Sequence, residues 1–434
     1  MKKWSKYNHI IPSERYGFLL FNTMNGCLLC IDKDDIKPFI QLSNVEVPDI
    51  SQEDIDNLSN LGFLVEEHED ELNCAWHINE VLRRRYDPTV MNLTIAVTRD
   101  CNFNCIYCYE TDRPAIYMDE RIEEAIIQFV KSNKSLKALN VVWYGGEPLM
   151  NFRSISRLTK KFLELGIEYT AEIITNGSLL SEAICKQFAS LNINKAQITL
   201  DGFEDIHNSR RPFRNGGPTY NRIETGIECL LKNHPTIHIN IRSNIDIRNK
   251  ESFHSFHKYI LERFANDSRV ESYTGFVEDI LNSGCSAENL NISNLSQKSD
   301  YMVQNTNNGV AMRLLPEKCF QTCIANNCYS FLIDPLGEIY RCWIAMCDKK
   351  YKLGNVLDVK NFDYKKDALF MSATDYIFDE KCRNCSVFPI CDGGCPLKRI
   401  KSIFEKGERN KCYSNKLLTL GRYLELYCDS LKQI

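Results

Sequence analysis

The sequence predicts an α/β fold built on a parallel sheet, open or curled as a partial barrel. Three observations carry this prediction. Short apolar stretches alternate with amphipathic, helix-periodic ones between about residues 90 and 280. Those apolar stretches end in loops of glycine, small polar residues or cysteine, where such folds place reactive groups. The 20 cysteines are spread unevenly over the 434 residues: the first 100 residues hold only Cys27, Cys30 and Cys74. A chain of this length holds about two to four domains. The pattern divides at 1–85, 86–300 and 301–434.

In the first segment, Phe18–Phe21, Asn25-Gly26 and Cys27–Ile31 read as a hairpin, because Asn-Gly favours a tight primed turn. Asp34–Leu42 has helical spacing. A second helix runs from Glu53 to Leu61, with Ser51 as its N-cap and Gly62 as its stop. Phe63–Val65 is a short strand, and the acidic stretch Glu66–Asn73 is expected at the surface. In the second segment the candidate strands are Leu93–Val97, Leu139–Trp143, Ala171–Ile174, Lys195–Leu200 and Ile237–Ile241. Helices fit over Arg121–Lys131, Ile155–Leu165, Ser181–Ser190 and Tyr220–Lys232. Residues 281–315 are polar, rich in Asn and Ser, and read as a linker or insertion.

Composition excludes several classes. A net charge of −4 gives no electrostatic case for nucleic acid or a membrane surface. No window approaches the ~18 apolar residues of a membrane span. The basic start leads into no apolar signal region, which points to the cytoplasm. There, clustered cysteines read as metal or redox groups rather than disulfides.

The most informative run is Cys101-Asn-Phe-Asn-Cys105-Ile-Tyr-Cys108, directly after the first strand of the second segment. Chance gives this spacing about 0.04 times in such a chain. Three thiolates can hold three corners of an iron–sulfur cube and leave the fourth iron open, whereas electron carriers usually close all four. A zinc site or buried thiols is the plain alternative. The loop resembles the signature of the radical S-adenosylmethionine (SAM) superfamily, with Tyr107 before the third cysteine. The resemblance implies a partial (β/α)6 barrel and a [4Fe–4S] cluster on Cys101, Cys105 and Cys108. It also implies SAM on the open iron, reduced by a low-potential electron donor to give a 5′-deoxyadenosyl radical. The backbone beside Tyr107 would then lie near the adenine.

Gly145-Gly146-Glu147-Pro148 ends the second strand. Two glycines allow close approach of a ligand to the backbone, and Glu147 can accept from an ammonium group. Alone this is an ordinary turn; in context it resembles the motif that binds the SAM amino group. Asn176, Asp201 and Arg242, at later strand ends, resemble positions that contact SAM or line the substrate cavity, with Arg242 directed at the SAM carboxylate. His207 is a candidate catalytic group, but the structural reading of a helix-start histidine is favoured. No catalytic base is identified.

Cys382-x2-Cys385-x5-Cys391-x3-Cys395 arises by chance about 0.002 times. Cys323, Gly337 and Cys342 precede it and Cys412 follows. The set resembles the SPASM domain, which implies two auxiliary iron–sulfur clusters. One would be held by Cys382, Cys385, Cys391 and Cys412. The other would be held by Cys323, Cys342 and Cys395 with either Cys328 or Cys319. Paired CxxC also suits a zinc ribbon. Of the remaining cysteines, Cys185, Cys229 and Cys428 read as core-facing. Cys74, Cys285 and Cys347 have no assigned role, and Cys27 and Cys30 point to opposite faces of a strand.

The first 85 residues resemble the winged-helix-like module that recognises leader peptides, which implies capture of a leader on a strand edge; a packing cap is the alternative. Together these resemblances imply a peptide maturase. Its partner would be a ribosomally made precursor peptide, and its product a cross-link, a thioether in preference to a carbon–carbon bond. An anaerobic sulfatase-maturase-like oxidase forming formylglycine is the second enzyme reading. A non-catalytic iron–sulfur electron-transfer protein is the alternative of another class.

Overall fold

The structure, a computed structural model, describes residues 2–45, 50–110, 114–264, 267–278, 280, 297–298, 301–302, 314–320, 323–346, 348–407, 412, 414 and 416–432. Most of the expected linker at 281–315 lies outside the described residues, as do Cys285 and Cys347. Two compact units divide the chain: residues 1–86, 294–327 and 370–434 form one, and 87–293 with 328–369 form the other.

The first unit begins with β1 (Lys2–Trp4), β2 (Asn8–Ser13), β3 (Gly17–Asn22) and β4 (Leu28–Ile31). Then come α1 (Lys37–Ser43), α2 (Gln52–Asn60), β5 (Leu64–Glu66) and α3 (Glu69–Arg85). β1 pairs antiparallel with β5, and β2-β3-β4 form an antiparallel sheet. The Asn-Gly hairpin forms, but through a loop over Thr23–Gly26 rather than a two-residue turn. Asn22 N donates to Cys27 O (2.9 Å), and Gly26 takes a positive φ of 79°. Ser51 caps α2 by accepting from Asp54 N at 3.1 Å.

The stretch expected to be merely acidic and exposed opens α3 instead. Its Glu69, Asp70 and Glu71 sit at the positive end of the helix dipole and Arg83, Arg84 and Arg85 at the negative end. Asp70 is buried, accepting from Ser5 Oγ (2.7 Å) and Lys6 N (2.8 Å). Arg85, buried on the last turn, pairs with buried Asp375. Cys30 Sγ on β4 lies 3.9 Å from Cys428 Sγ on a helix over Lys416–Leu431.

The second unit holds the predicted sheet. Its elements are β6 (Val90–Ala96), α4 (Glu120–Ser132), β7 (Ala138–Tyr144), α5 (Phe152–Leu163), β8 (Glu168–Thr175), α6 (Glu182–Phe188) and β9 (Ile193–Thr199). They continue with α7 (Glu204–Arg210), α8 (Tyr220–Asn233), β10 (His238–Ile245), α9 (Phe253–Arg263) and β11 (Val270–Phe276). β12 (Ser330–Ile333), β13 (Glu338–Tyr340) and β14 (Gly354–Asn355) complete the described strands.

Strands β6 to β11 are parallel and stand in sequence order, so every crossover runs the same way. Right-handed crossovers of one direction put their helices on one face and leave the other to curl inward. This is the partial (β/α)6 barrel. Residues 328–369, read from sequence as part of the carboxyl-terminal domain, extend this sheet: β12 runs parallel beside β6, and β13 and β14 follow antiparallel. The core packs Leu93, Ile95, Val141, Trp143, Ile173, Ile198 and Ile241 against Ile126, Leu158, Phe162 and Ile227 from the helices. Cys185 is fully buried in it, with Cys229 partly buried beside.

Candidate active site

The loops after the strands of the second unit enclose a cavity of about 370 Å³. Cys101, Cys105 and Cys108 all face it, with Tyr107, Gly145, Gly146, Asn176 and Arg242. The sequence reading had singled out each of these eight residues.

The cysteine loop is held by backbone bonds to the segment after α7. Asn104 N donates to Pro212 O (2.8 Å), Ile106 N to Arg210 O (3.0 Å) and Arg214 N to Asn102 O (2.9 Å), and Phe103 bridges Phe213. Asn102 ties the loop to the end of β8: it accepts from Asn176 Nδ2 (2.8 Å) and donates to Ser178 Oγ (2.9 Å). Burial, with the Glu147 carboxylate second, pushes the Cys101 thiol up to about 12. Metal binding there must therefore expel a proton.

Gly145 and Gly146 have a packing reason to be glycine. A Cβ on Gly145, whose φ is +139°, would stand 2.3 Å from Thr98 O; one on Gly146 would stand 2.4 Å from Asp100 O. The close approach they permit is that of the cysteine loop's own backbone: Gly146 N donates to Thr98 O and Glu147 N to Asp100 O.

Two expected cofactor contacts are not on the cavity wall. Glu147 is fully buried and accepts from Thr175 Oγ1 (2.6 Å), Asn176 N (2.7 Å) and Leu149 N (3.0 Å). Burial raises its pKa, and the three donors only partly oppose this. Asp201 is buried as well. It accepts from Tyr107 Oη (2.6 Å), Arg210 Nε (3.1 Å) and Asn244 N (3.0 Å). Burial would raise its pKa, but Arg210 and Arg211 outweigh burial and hold it below the usual carboxylate range. Both carboxylates lock strand ends together because their lone pairs are taken by the protein.

Tyr107 is the hinge of this network. Its hydroxyl donates to Asp201 and accepts from Arg211 Nη1 (2.7 Å) and Asn244 Nδ2 (3.0 Å), and the Arg210 guanidinium lies 5.0 Å over its ring. Arg210 continues the chain of charges to Asp246. His207 is fully buried, with Nδ1 accepting from Asp201 N at 3.2 Å, and burial lowers its pKa to about 3. Burial thus holds this imidazole neutral.

Sequence reasoning missed Arg211, Gln197, Tyr109, Glu110, Tyr144 and Trp343, which also line the cavity. Tyr109 and Tyr144 share a hydroxyl contact, and Tyr144 donates to Glu110 Oε1 (3.2 Å). Arg242 Nε donates to Asn244 Oδ1 (2.9 Å), and its guanidinium lies where a side chain on Gly275 would otherwise stand. The absence of a Cβ at Gly275 gives the guanidinium its place beside the cavity.

Of the carboxyl-terminal cysteines, Cys319, Cys323, Cys382, Cys385, Cys391, Cys395 and Cys412 belong to the first unit, and Cys328 and Cys342 to the second. Within the first unit, Cys391 perturbs Cys382, Cys412 perturbs Cys391, and Cys395 perturbs Cys323, so these thiols are electrostatic neighbours. Among the described residues no three His, Cys, Asp or Glu side chains are drawn together around a single metal ion. The thiolates of an iron–sulfur cube bind separate irons and so need no such convergence. Three thiols on one cavity wall suit that donor set.

A family model described as the radical SAM superfamily matches residues 95–259. The radical SAM cyclopropyl synthase TigE of Paramaledivibacter caminithermalis is 23% identical over 90% of this chain and 89% of its own. A cysteine-type anaerobic sulfatase-maturating enzyme of Clostridium perfringens is 23% identical over 80% of this chain and 95% of its own. The structure of Streptococcus suis SuiB bound to precursor peptide SuiA shares the fold, with a TM-score of 0.53 and 15% identity over 92% of this chain and 97% of that one. The family implies a [4Fe–4S] cluster and SAM. Among the described residues no helix is long and apolar enough to cross a membrane. The matched segment contains the three-cysteine loop, the end of β6 and the four strands β7 to β10, so this chain is an enzyme that carries a radical SAM superfamily domain over residues 95–259.

Proposed function

We propose that this enzyme modifies a ribosomally made precursor peptide by closing a new bond in it, in the favoured reading a thioether from a cysteine sulfur to carbon. The observation that carries the proposal is the cavity with Cys101, Cys105 and Cys108 on its wall and Arg242 beside it. Cys101, Cys105 and Cys108 would hold the cluster, and Arg242 would face the SAM carboxylate. Cluster and SAM, when bound, supply a 5′-deoxyadenosyl radical. Thioether closure removes two hydrogens from the peptide. One leaves as a hydrogen atom to that radical; the other leaves as the thiol proton, with one electron passed to an acceptor.

An auxiliary cluster on Cys382, Cys385, Cys391 and Cys412, all of the first unit, would be that acceptor. The peptide substrate is supported by SuiB, which is bound to precursor peptide SuiA. The edge strand β4, paired on one side with β3 among the described residues, supports capture of a leader in the first 85 residues. A second reading, a carbon–carbon bond, is favoured by TigE, a cyclopropyl synthase by name. The sulfatase-maturating relative favours a third, oxidation to formylglycine.

The test is anaerobic incubation of reconstituted protein with SAM, dithionite and a cysteine-containing peptide encoded beside the gene. 5′-Deoxyadenosine and a peptide lighter by two hydrogens, with its cysteine no longer alkylatable, are expected. Loss of two hydrogens with a free thiol marks the carbon–carbon product, and an aldehyde marks formylglycine. Cys105→Ala should abolish 5′-deoxyadenosine. No 5′-deoxyadenosine from the wild type would overturn the proposal.

A further inference from the structure

The four-cysteine run leads into a helix over Pro396–Lys406 that carries Arg399. Its side chain is nearly buried, at 5% exposure. Nε donates to Gly393 O (3.0 Å), Nη1 lies 3.6 Å from Asp379 Oδ2, and Nη2 donates to Cys382 Sγ (3.3 Å). Asp379 in turn accepts from Lys381 N (2.9 Å) and Cys382 N (3.4 Å). A buried guanidinium is thus fixed at three points, with one N–H directed at sulfur. A neutral thiol is a weak acceptor, and a charged donor gains little from it. A thiolate carrying the charge of a cluster is the partner such a donor suits.

Gly393 N donates to Cys391 Sγ (3.3 Å), and among the described contacts of Cys382, Cys385, Cys391 and Cys412 the Arg399 guanidinium is the charged donor. We propose that Arg399 sets the reduction potential of an iron–sulfur cluster held through Cys382, making that cluster a stronger electron acceptor. Reduction adds negative charge to the sulfurs, and a fixed cation donating to one of them favours the reduced form. Arg399 acts through Cys382 and is a positioning residue. The inference rests on the proposed auxiliary cluster and deepens it by assigning the residue that tunes it.

The test uses full-length protein prepared anaerobically in a Cys105→Ala background, so that the auxiliary clusters dominate the signal. Wild-type Arg399, Arg399→Lys and Arg399→Met are compared for iron and sulfide content and then titrated potentiometrically with electron paramagnetic resonance. The expected result is unchanged iron content and a midpoint potential that moves negative in Arg399→Met, with a smaller move in Arg399→Lys. With Cys105 restored, Arg399→Met should form 5′-deoxyadenosine at the wild-type rate but less product per 5′-deoxyadenosine. If Arg399→Met loses iron, Arg399→Lys decides. Full cluster content with unchanged potential overturns the role of Arg399 and leaves the cluster reading standing. A wild type in this background that binds no iron overturns the cluster reading, and the inference with it.

Discussion

Glu147 and Asp201 stand just beyond the carboxyl ends of β7 and β9, each a fully buried carboxylate accepting from backbone and side chain. Their protonation is pushed in opposite directions: Glu147 is raised and Asp201 lowered. Burial acts on both alike. The difference is cationic company. Arg210 bonds Asp201 directly, and Arg211 reaches it through the Tyr107 hydroxyl, whereas Glu147 accepts from hydroxyl and amide donors and feels Arg211 only as the last of its opposing influences. One strand end is therefore an ionic clamp and the other a neutral-donor clamp. The cavity between the loops they fix is framed by two different kinds of rigidity.

The largest effect should come from breaking the ionic clamp. Asp201→Asn leaves Arg210 and Arg211 buried with one fewer counter-charge. A stability loss of about 3–5 kcal/mol is expected, the usual cost of unpairing a buried ion. Urea unfolding of the variant measures it; a loss below that of the Glu147 variant would break the comparison. Glu147→Gln comes next. Its amide can keep two of the three accepted bonds but sets an N–H against Asn176 N or against the Leu149 and Thr175 donors. About 1–3 kcal/mol should be lost, the cost of unsatisfied buried polar groups.

The comparison also explains what the sequence made legible. The five strands from β6 to β10 were readable because apolar runs end at cysteine, glycine or small polar residues, and the cysteine loop because its spacing is rare. A carboxylate at a strand end looks the same whether it faces a ligand or a neighbouring backbone, so Glu147 and Asp201 were read as cofactor contacts. For Asp201 a signal existed: Arg210 and Arg211, nine and ten residues on, place two cations on the return from α7. Glu147 had none, since its partners Thr175 and Asn176 come from another strand end. The short helix α7 escaped notice for want of a strong apolar stripe, α9 although its buried Phe253, Phe256, His257 and Ile260 form one, and β11 because Val270–Phe276 is broken by polar residues and glycine. Trp343 reaches the cavity from a segment that the resemblance to the SPASM domain assigned to a different domain.

The smallest effect, and the sharpest discriminator, is pH dependence. Asp201 is lowered in the folded state, so the unfolded chain binds its proton more readily. Its contribution is complete above the unfolded value of about 3.9 and is lost as pH falls through the folded value. Glu147 is raised, so the folded state holds its proton more tightly. Its contribution is complete below the unfolded value of about 4.3 and is lost as pH rises through the folded value. The stability gap between wild type and Asp201→Asn should therefore narrow on acidification. The gap for Glu147→Gln should narrow on moving from acid toward neutral pH. Urea midpoints for the three proteins across that range give both gaps, and movement of the two in the same direction would mean that burial rather than cationic company governs both sites.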